Sequence, residues 1–230
     1  IGSAIGALGS AHATVEELHL LAKLVRGLGS ENIDHRGRHA DFGNRPAGGR
    51  ARWLGTSIAS LSSMQRAFVI GSFLRKDHPL LAQRLRQAVR RGAQLHSLHA
   101  VHDDWAMPLA TQFTAAPSGW VDALAQVAAA IAQAKGVAAP LAATPSDASQ
   151  RIATSLLGGE RRAVLLGNAA AQHSQATQLL ALAQWIGSAT GATVGYLGEA
   201  ANSVGAQLVG AMPGEGGLNA GQMLAQPMKA

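Results

Sequence analysis

Apolar residues fall along this chain in two kinds of run. Short unbroken ones flanked by charge and glycine, at residues 67–71 (AFVIG) and 163–167 (AVLLG), predict strands buried on both faces. Longer ones with apolar positions three and four apart predict helices. Residues 79–91 read as a helix with Leu80, Leu81, Leu85 and Val89 inward, and residues 94–98 as a second strand. Strand, helix and strand within about thirty residues make a βαβ unit, which requires parallel pairing and a right-handed crossover. A second such unit follows, from 163–167 through a helix near 177–188 to a strand at 193–197.

The N-terminal stretch has a different texture. Residues 1–10, with glycine at 2, 6 and 9, read as a buried strand entering a turn. Thr14 then caps a helix and Glu17 completes a capping box; Leu18, Leu21, Leu24, Val25 and Leu28 recur at helical spacing until Gly29 ends it. From 30 to 52 there is no periodicity, only polar, basic and glycine residues. A loop of that length in a compact protein usually serves a function or a partner. Between the βαβ units lie an Ala-rich helix and a linker at 135–150, and the tail from Pro213 is broken by Gly and Pro and expected to be poorly ordered without its continuation. The fold class is α/β, with two Rossmann-like lobes whose parallel sheets are flanked by helices.

Composition narrows the chemistry. The 230 residues contain no cysteine, which excludes disulfides, iron–sulfur clusters and Cys-ligated zinc within the chain. With 47% hydrophobic and only 14% charged residues, the chain is rich in interior and its faces are expected to be covered by other protein. The net charge of +6 permits an acidic partner or nucleic acid without requiring either. No signal peptide is read at the N-terminus, and the Ala-rich run 121–134 is too short to span a bilayer, so no direct membrane insertion is expected. A start at Ile1 without methionine is read as a piece of something longer.

Candidate chemistry is sparse. Gly71 and Gly167 end the first strands of the two βαβ units, but neither opens a G-x-G-x-x-G, no Walker motif occurs, and the strand before His99 ends without the acid that would hold a ribose. His96, His99 and His102 with Asp103 and Asp104 have the composition of a metal site, yet period-two geometry sends His96 and His99 to opposite faces. His35 and His39 would share a face only in a helix, which Gly37 disfavours. Arginines 36, 38, 45, 50 and 52, and Arg75, Lys76 and Arg84, 86, 90 and 91, form two basic concentrations without the aromatic platforms of a nucleic-acid module. Arg86 and Arg90 are expected on a solvated helix face, and the loop arginines against Asp34, Asp41 or a neighbouring chain. No G-x-S-x-G elbow or triad is found, and no catalytic residue is nominated.

Three runs carry a resemblance: Thr14-Val15-Glu16-Glu17, Lys23-Leu24-Val25-Arg26 and Asn32-Ile33-Asp34 resemble the T-N-E-E, K-x-x-R and N-N-x-D signatures of the molybdopterin oxidoreductase superfamily. Within it, His35-Arg36-x-Arg38 with Ala40-Asp41-Phe42, Arg75-Lys76-Asp77-His78-Pro79, residues 198–206 (GEAANSVGA) and 217–220 (GLNA) resemble the G chains (75-kDa-type subunits) of bacterial NADH-quinone oxidoreductase, respiratory complex I. The resemblance implies the fold of the formate dehydrogenase and DMSO reductase domains, interleaved: residues 1–29 and 151–212 as one lobe, 30–150 as an inserted dinucleotide-binding-like lobe, and 213–230 as a tail.

It also implies losses. Where members with a Cys or selenocysteine metal ligand carry it, this chain has Ala40, whose methyl group cannot coordinate. Where the family has a G-x-[ND]-P turn and a D-P-R, this chain has Gly71-Ser72-Phe73-Leu74 and Leu98-His99-Ala100-Val101. The resemblance therefore implies a degenerate cleft marked by Ala40, Gly71, Phe73 and His99, with no cofactor in this segment and the iron–sulfur clusters of such chains upstream. Partners are then the other complex I peripheral-arm subunits, on the cytoplasmic side of the bacterial inner membrane. Asn32, Asp34, Arg36, Arg38 and Asp41 are the candidates for lobe docking or subunit contact. A still active pterin- or metal-binding oxidoreductase domain, and a basic nucleic-acid module, are the competing readings.

Overall fold

A computed structural model of the chain describes residues 4–43 and 51–225. In chain order the elements are β1 (Ala7–Leu8), α1 (Val15–Gly27), β2 (Ile33–Asp34), β3 (Arg66–Ile70), α2 (Leu74–Asp77), α3 (Pro79–Arg90), β4 (Gln94–His99), β5 (Thr111–Thr114), α4 (Trp120–Lys135), α5 (Asp147–Leu157), β6 (Arg162–Leu166), α6 (Asn168–Ala171), α7 (Ala176–Thr190), β7 (Thr193–Tyr196), α8 (Ser203–Leu208) and α9 (Ala220–Ala225). The described residues form two compact units, Leu54–Leu197 and Ile1–Trp53 with Gly198–Ala230.

In the larger unit all five strands are parallel, in the order β5-β4-β3-β6-β7. Side chains alternate between two faces that both pack on helices, which is why β3 and β6 read as continuous apolar runs. Phe68, Ile70, Leu98, Val164 and Leu166 face one core with α4, α5 and α7; Ala67, Val69, Leu95, Ala163 and Leu165 face the other with α3 and Trp105. Helix α4 is buried on nearly every side, as its Ala-rich and almost charge-free sequence requires.

This architecture corrects several expectations. The two βαβ units share one sheet, because β3 pairs with β6 in register from Arg66↔Arg162 to Ile70↔Leu166. The compact units consequently divide after Trp53 and Leu197, not at 29/30 and 150/151, and the N-terminal strand and helix do not join the second βαβ unit. β5 and α5 were not foreseen: β5 is a four-residue edge strand with three polar positions, and α5 starts from Ser146 inside the expected linker. Leu80 is exposed, since it lies one position off the face made by Ala82, Leu85 and Ala88, alongside Arg84, Gln87 and Arg91.

The smaller unit is held by segments distant in sequence. The first strand is two residues long, and β1 pairs in parallel with β2, a strand inside the expected loop. Helix α1 begins with the foreseen capping box, the Glu17 N–H donating to Thr14 Oγ1 and the Thr14 N–H to Glu17 Oε2. Its core face is Leu18, Ala22 and Val25, packed with Ile33, Ala206 and Ala211; Leu24 and Leu28 lie outside it. The tail is folded from Pro213 through α9, where the Leu218 and Ala220 N–H groups bind Asn32 and Asp34. Residues 1–3, and with them the start of the expected strand, lie outside the described residues, as do Arg45, Arg50 and the end of the tail beyond 225.

Candidate functional site

In the smaller unit the run around β2 is an internal tie. Asp34 has no exposed surface. Its Oδ1 accepts from the His35 and Arg36 backbone N–H groups and Arg36 Nε, and its Oδ2 from Arg36 Nη2 at 2.8 Å and the Ala220 N–H at 3.0 Å. Burial alone would raise this carboxyl, but the hydrogen bond and charge of Arg36, with the Ala220 and Arg36 amides, hold it below the usual carboxylate range. Arg36 also lies over the Phe42 ring at 5.0 Å, a cation–π contact. Asn32 Oδ1 accepts from the Leu218 N–H, and its amide donates to the Ile5 carbonyl. His35 Nδ1 meets the Ala211 carbonyl at 2.9 Å, and burial of the ring lowers its pKa despite that bond.

Of the five docking candidates, Asn32, Asp34 and Arg36 are therefore buried and bonded within their own unit, while Arg38 is exposed and Asp41 half-buried with its Oδ1 on the Gly43 N–H. Ala40 is exposed, next to His39, whose Nε2 pairs with Glu199 at 2.9 Å. The runs 198–206 and 217–220 serve the same tie: Asn202 binds the Ala11 and Ala13 backbone, and a Cβ on Gly217 would collide with the Glu31 carbonyl.

In the larger unit the strand order reverses between β3 and β6, and in open parallel sheets ligands bind beyond the carboxyl ends of the strands at that point. Here the crevice is filled. Gly71 turns with φ +65°, and a Cβ on it would lie 2.6 Å from the Ala170 nitrogen and 2.8 Å from the Trp120 ring. A Cβ on Gly167 would meet the Ser72 side chain and stand 2.7 Å from the Gly71 carbonyl oxygen. The two glycines allow backbone to approach backbone, where a dinucleotide fold would admit a pyrophosphate. Three backbone donors of these turns are engaged on carbonyls: the Gly71 N–H on Leu98 O, the Gly167 N–H on Ile70 O and the Ala169 N–H on Gly71 O. Asp77 Oδ2 accepts from the Ser72 hydroxyl and the Phe73 N–H, placing a carboxylate in the first turn.

The flank is aromatic. Trp120 stacks on His173 at 5.6 Å and lies 6.2 Å from His99, with its Nε1–H on the Ala115 carbonyl. His173 accepts the Gln175 N–H at Nδ1, so its Nε2–H donates to Pro117 O. Phe73 packs near Trp105. Gly71 is buried against Trp120 and Ala170, Phe73 is half-buried beside Trp105, His99 is half-buried beside Trp120, and Asp77 is exposed on the first turn. Trp120 and His173 were not singled out by sequence reasoning. Asp77 carried the one available signal, an acid just after the turn. A phosphate-bearing cofactor does not fit between these two turns.

The remaining candidates disperse. His96 is buried in the sheet, His99 pairs with Asp103 at 2.8 Å, and Asp104 binds Arg75 at 2.6 Å. Among the described residues no three His, Asp or Glu side chains are grouped to hold a metal ion. Arg84, Arg86, Arg90 and Arg91 are exposed, and Arg36 is neutralised internally. No helix among the described residues is long and apolar enough to cross a membrane.

Comparison with known proteins adds two findings. A sequence model of the molybdopterin oxidoreductase family matches residues 2–230. Among solved structures, the chain is similar to one in the formyltransferase/hydrolase complex (FhcABCD) from Methylorubrum extorquens in complex with methylofuran, with a TM-score of 0.55 and 19% identity. The match covers 83% of this chain and 52% of that one, so the chain spans about half of its length. At that identity the likeness is one of fold. No curated protein matches significantly in sequence.

Proposed function

The chain belongs to the molybdopterin oxidoreductase family, and from that premise we propose that it is a non-catalytic scaffold segment of a G chain of NADH-quinone oxidoreductase. In this reading it stands in the peripheral arm, on the cytoplasmic side of the bacterial inner membrane, held by the other peripheral-arm subunits. It supports electron transfer from NADH to quinone by keeping the arm assembled, while the redox centres lie elsewhere.

One observation supports the loss of chemistry: the turns after β3 and β6 approach each other closely, three of their amides bond to protein carbonyls, and the Asp77 carboxylate accepts from the Phe73 N–H of the first turn. Exposed Ala40, where related redox enzymes can place a metal ligand, agrees with it. The specific assembly is supported by the runs at 35–42, 75–79, 198–206 and 217–220, three of which build the tie of the smaller unit. That the similar structure is itself part of a complex accords with protein partners.

The test uses the exposed arginine. Arg38→Ala in the full complex should lower the yield of assembled complex and leave NADH:quinone turnover per assembled complex unchanged. Full assembly with slowed turnover would contradict the scaffold reading.

A further inference from the structure

At the other end of the five-stranded sheet, away from the closed crevice, the amino-terminal ends of β3, β4 and β5 and one side of α5 enclose an open cavity of about 630 Å³. Register sets its floor: Arg66 lies opposite Gln94, and His96 lies opposite both Phe68 and Thr111. His96 is 2% exposed and Thr111 5%. Neither ring nitrogen of His96, nor Thr111 Oγ1, nor Arg66 Nε has a hydrogen-bond partner among the described residues. Four buried polar atoms without hydrogen-bond partners, on three residues that line one cavity, are more than a folded interior ordinarily tolerates, although Arg66 Nη1 already donates to the Gln65 carbonyl at 2.8 Å.

The charge of the cavity is defined. Burial and the nearby Arg66 charge push the His96 pKa down to about 4, so its imidazole is neutral near pH 7 and presents one N–H. Arg66 and Arg151 are two cations against the single carboxylate of Asp147. The Ser155 hydroxyl is already engaged on Gln94 Oε1 at 2.6 Å and is not a free donor.

We propose that this cavity is an oxyanion-binding site, in which a small carboxylate or phosphate group is held by Arg66, the Thr111 hydroxyl and an imidazole N–H of His96. A guanidinium with two neutral donors suits an anionic oxygen group, and charge-assisted hydrogen bonds of this kind are the strong ones. The site is separate from the family cleft and does not depend on the scaffold reading.

The test titrates the purified protein with inorganic phosphate and, separately, with acetate at constant ionic strength set with chloride, following thermal unfolding and the His96 ring NMR signals. A saturable rise in Tm with movement of the His96 signals is expected for at least one anion, and the stronger response tells phosphate from carboxylate. Thr111→Val, which keeps shape and removes the hydroxyl, should weaken that binding roughly tenfold, the loss of one charge-assisted hydrogen bond, while leaving unliganded Tm near that of the parent. No saturable response to either anion at tens of millimolar, or binding that Thr111→Val leaves unchanged, would overturn the proposal and assign the cavity to water.

Discussion

Asp34 gathers five hydrogen bonds without any exposed surface, while Arg38, four residues on, is exposed. The two positions should behave oppositely. Removing one member of a buried ion pair leaves the other uncompensated, so Asp34→Asn is expected to cost about 3 kcal/mol. Arg38→Ala should stay within about 0.5 kcal/mol, as exposed substitutions do. Urea unfolding of the two variants checks the contrast, and equal losses would contradict it. His96 supplies a pH dependence. Its folded pKa lies near 4, below the ordinary 6.5, so the unfolded chain takes the proton first as pH falls. Stability is therefore present above about pH 6.5 and lost as pH falls toward 4, by about 3 kcal/mol for this group. His35 and His78 are lowered by burial too and act with the same sign. His96→Phe should make that limb shallower in denaturation curves measured across the interval, leaving the part due to His35 and His78.

At the scale of elements, the turns after β3 and β6 decide whether the strand-end crevice of the larger unit is open. Gly71→Ala sets a left-handed backbone against a Cβ that would sit 2.6 Å from the Ala170 nitrogen, and Gly167→Ala forces apart the contact with Ser72. Each should destabilise the larger unit by about 2–4 kcal/mol, from strain and overpacking together. Thermal unfolding checks this; a neutral Gly167→Ala would mean that the turns can separate. Elements were legible where the local pattern is complete. The strands 66–70, 94–99, 162–166 and 193–196 lie within one residue of expectation; 66–70 and 162–166, buried on both faces, are apolar runs that end at glycine. The capping box at Thr14 and Glu17 was legible for the same reason. β5 was not: Thr111, Gln112, Phe113 and Thr114 become a strand only by pairing with β4 at the sheet edge.

At the scale of the whole molecule, what was illegible is what depends on distant pairing. Nothing in 66–70 or 162–166 announces that they lie side by side, so two βαβ units in one sheet read as two lobes. The role of Asn32 and Asp34 was hidden likewise, since their partners are backbone N–H groups of Leu218 and Ala220, nearly two hundred residues away and without side-chain identity. Phe73 and His99 were visible as departures from the family pattern, but the closeness of the turns in the larger unit is a matter of backbone approach at Gly71 and Gly167. Together these give a family fold whose smaller unit is tied internally and whose strand-end turns in the larger unit pack against each other. The most direct measurement is molybdenum, tungsten and extractable pterin in the protein purified from its own cells, by elemental mass spectrometry and fluorescence of the oxidised pterin. The account predicts no more than trace amounts of all three; pterin with either metal at about one per chain, as an intact family cofactor site would hold, would contradict it.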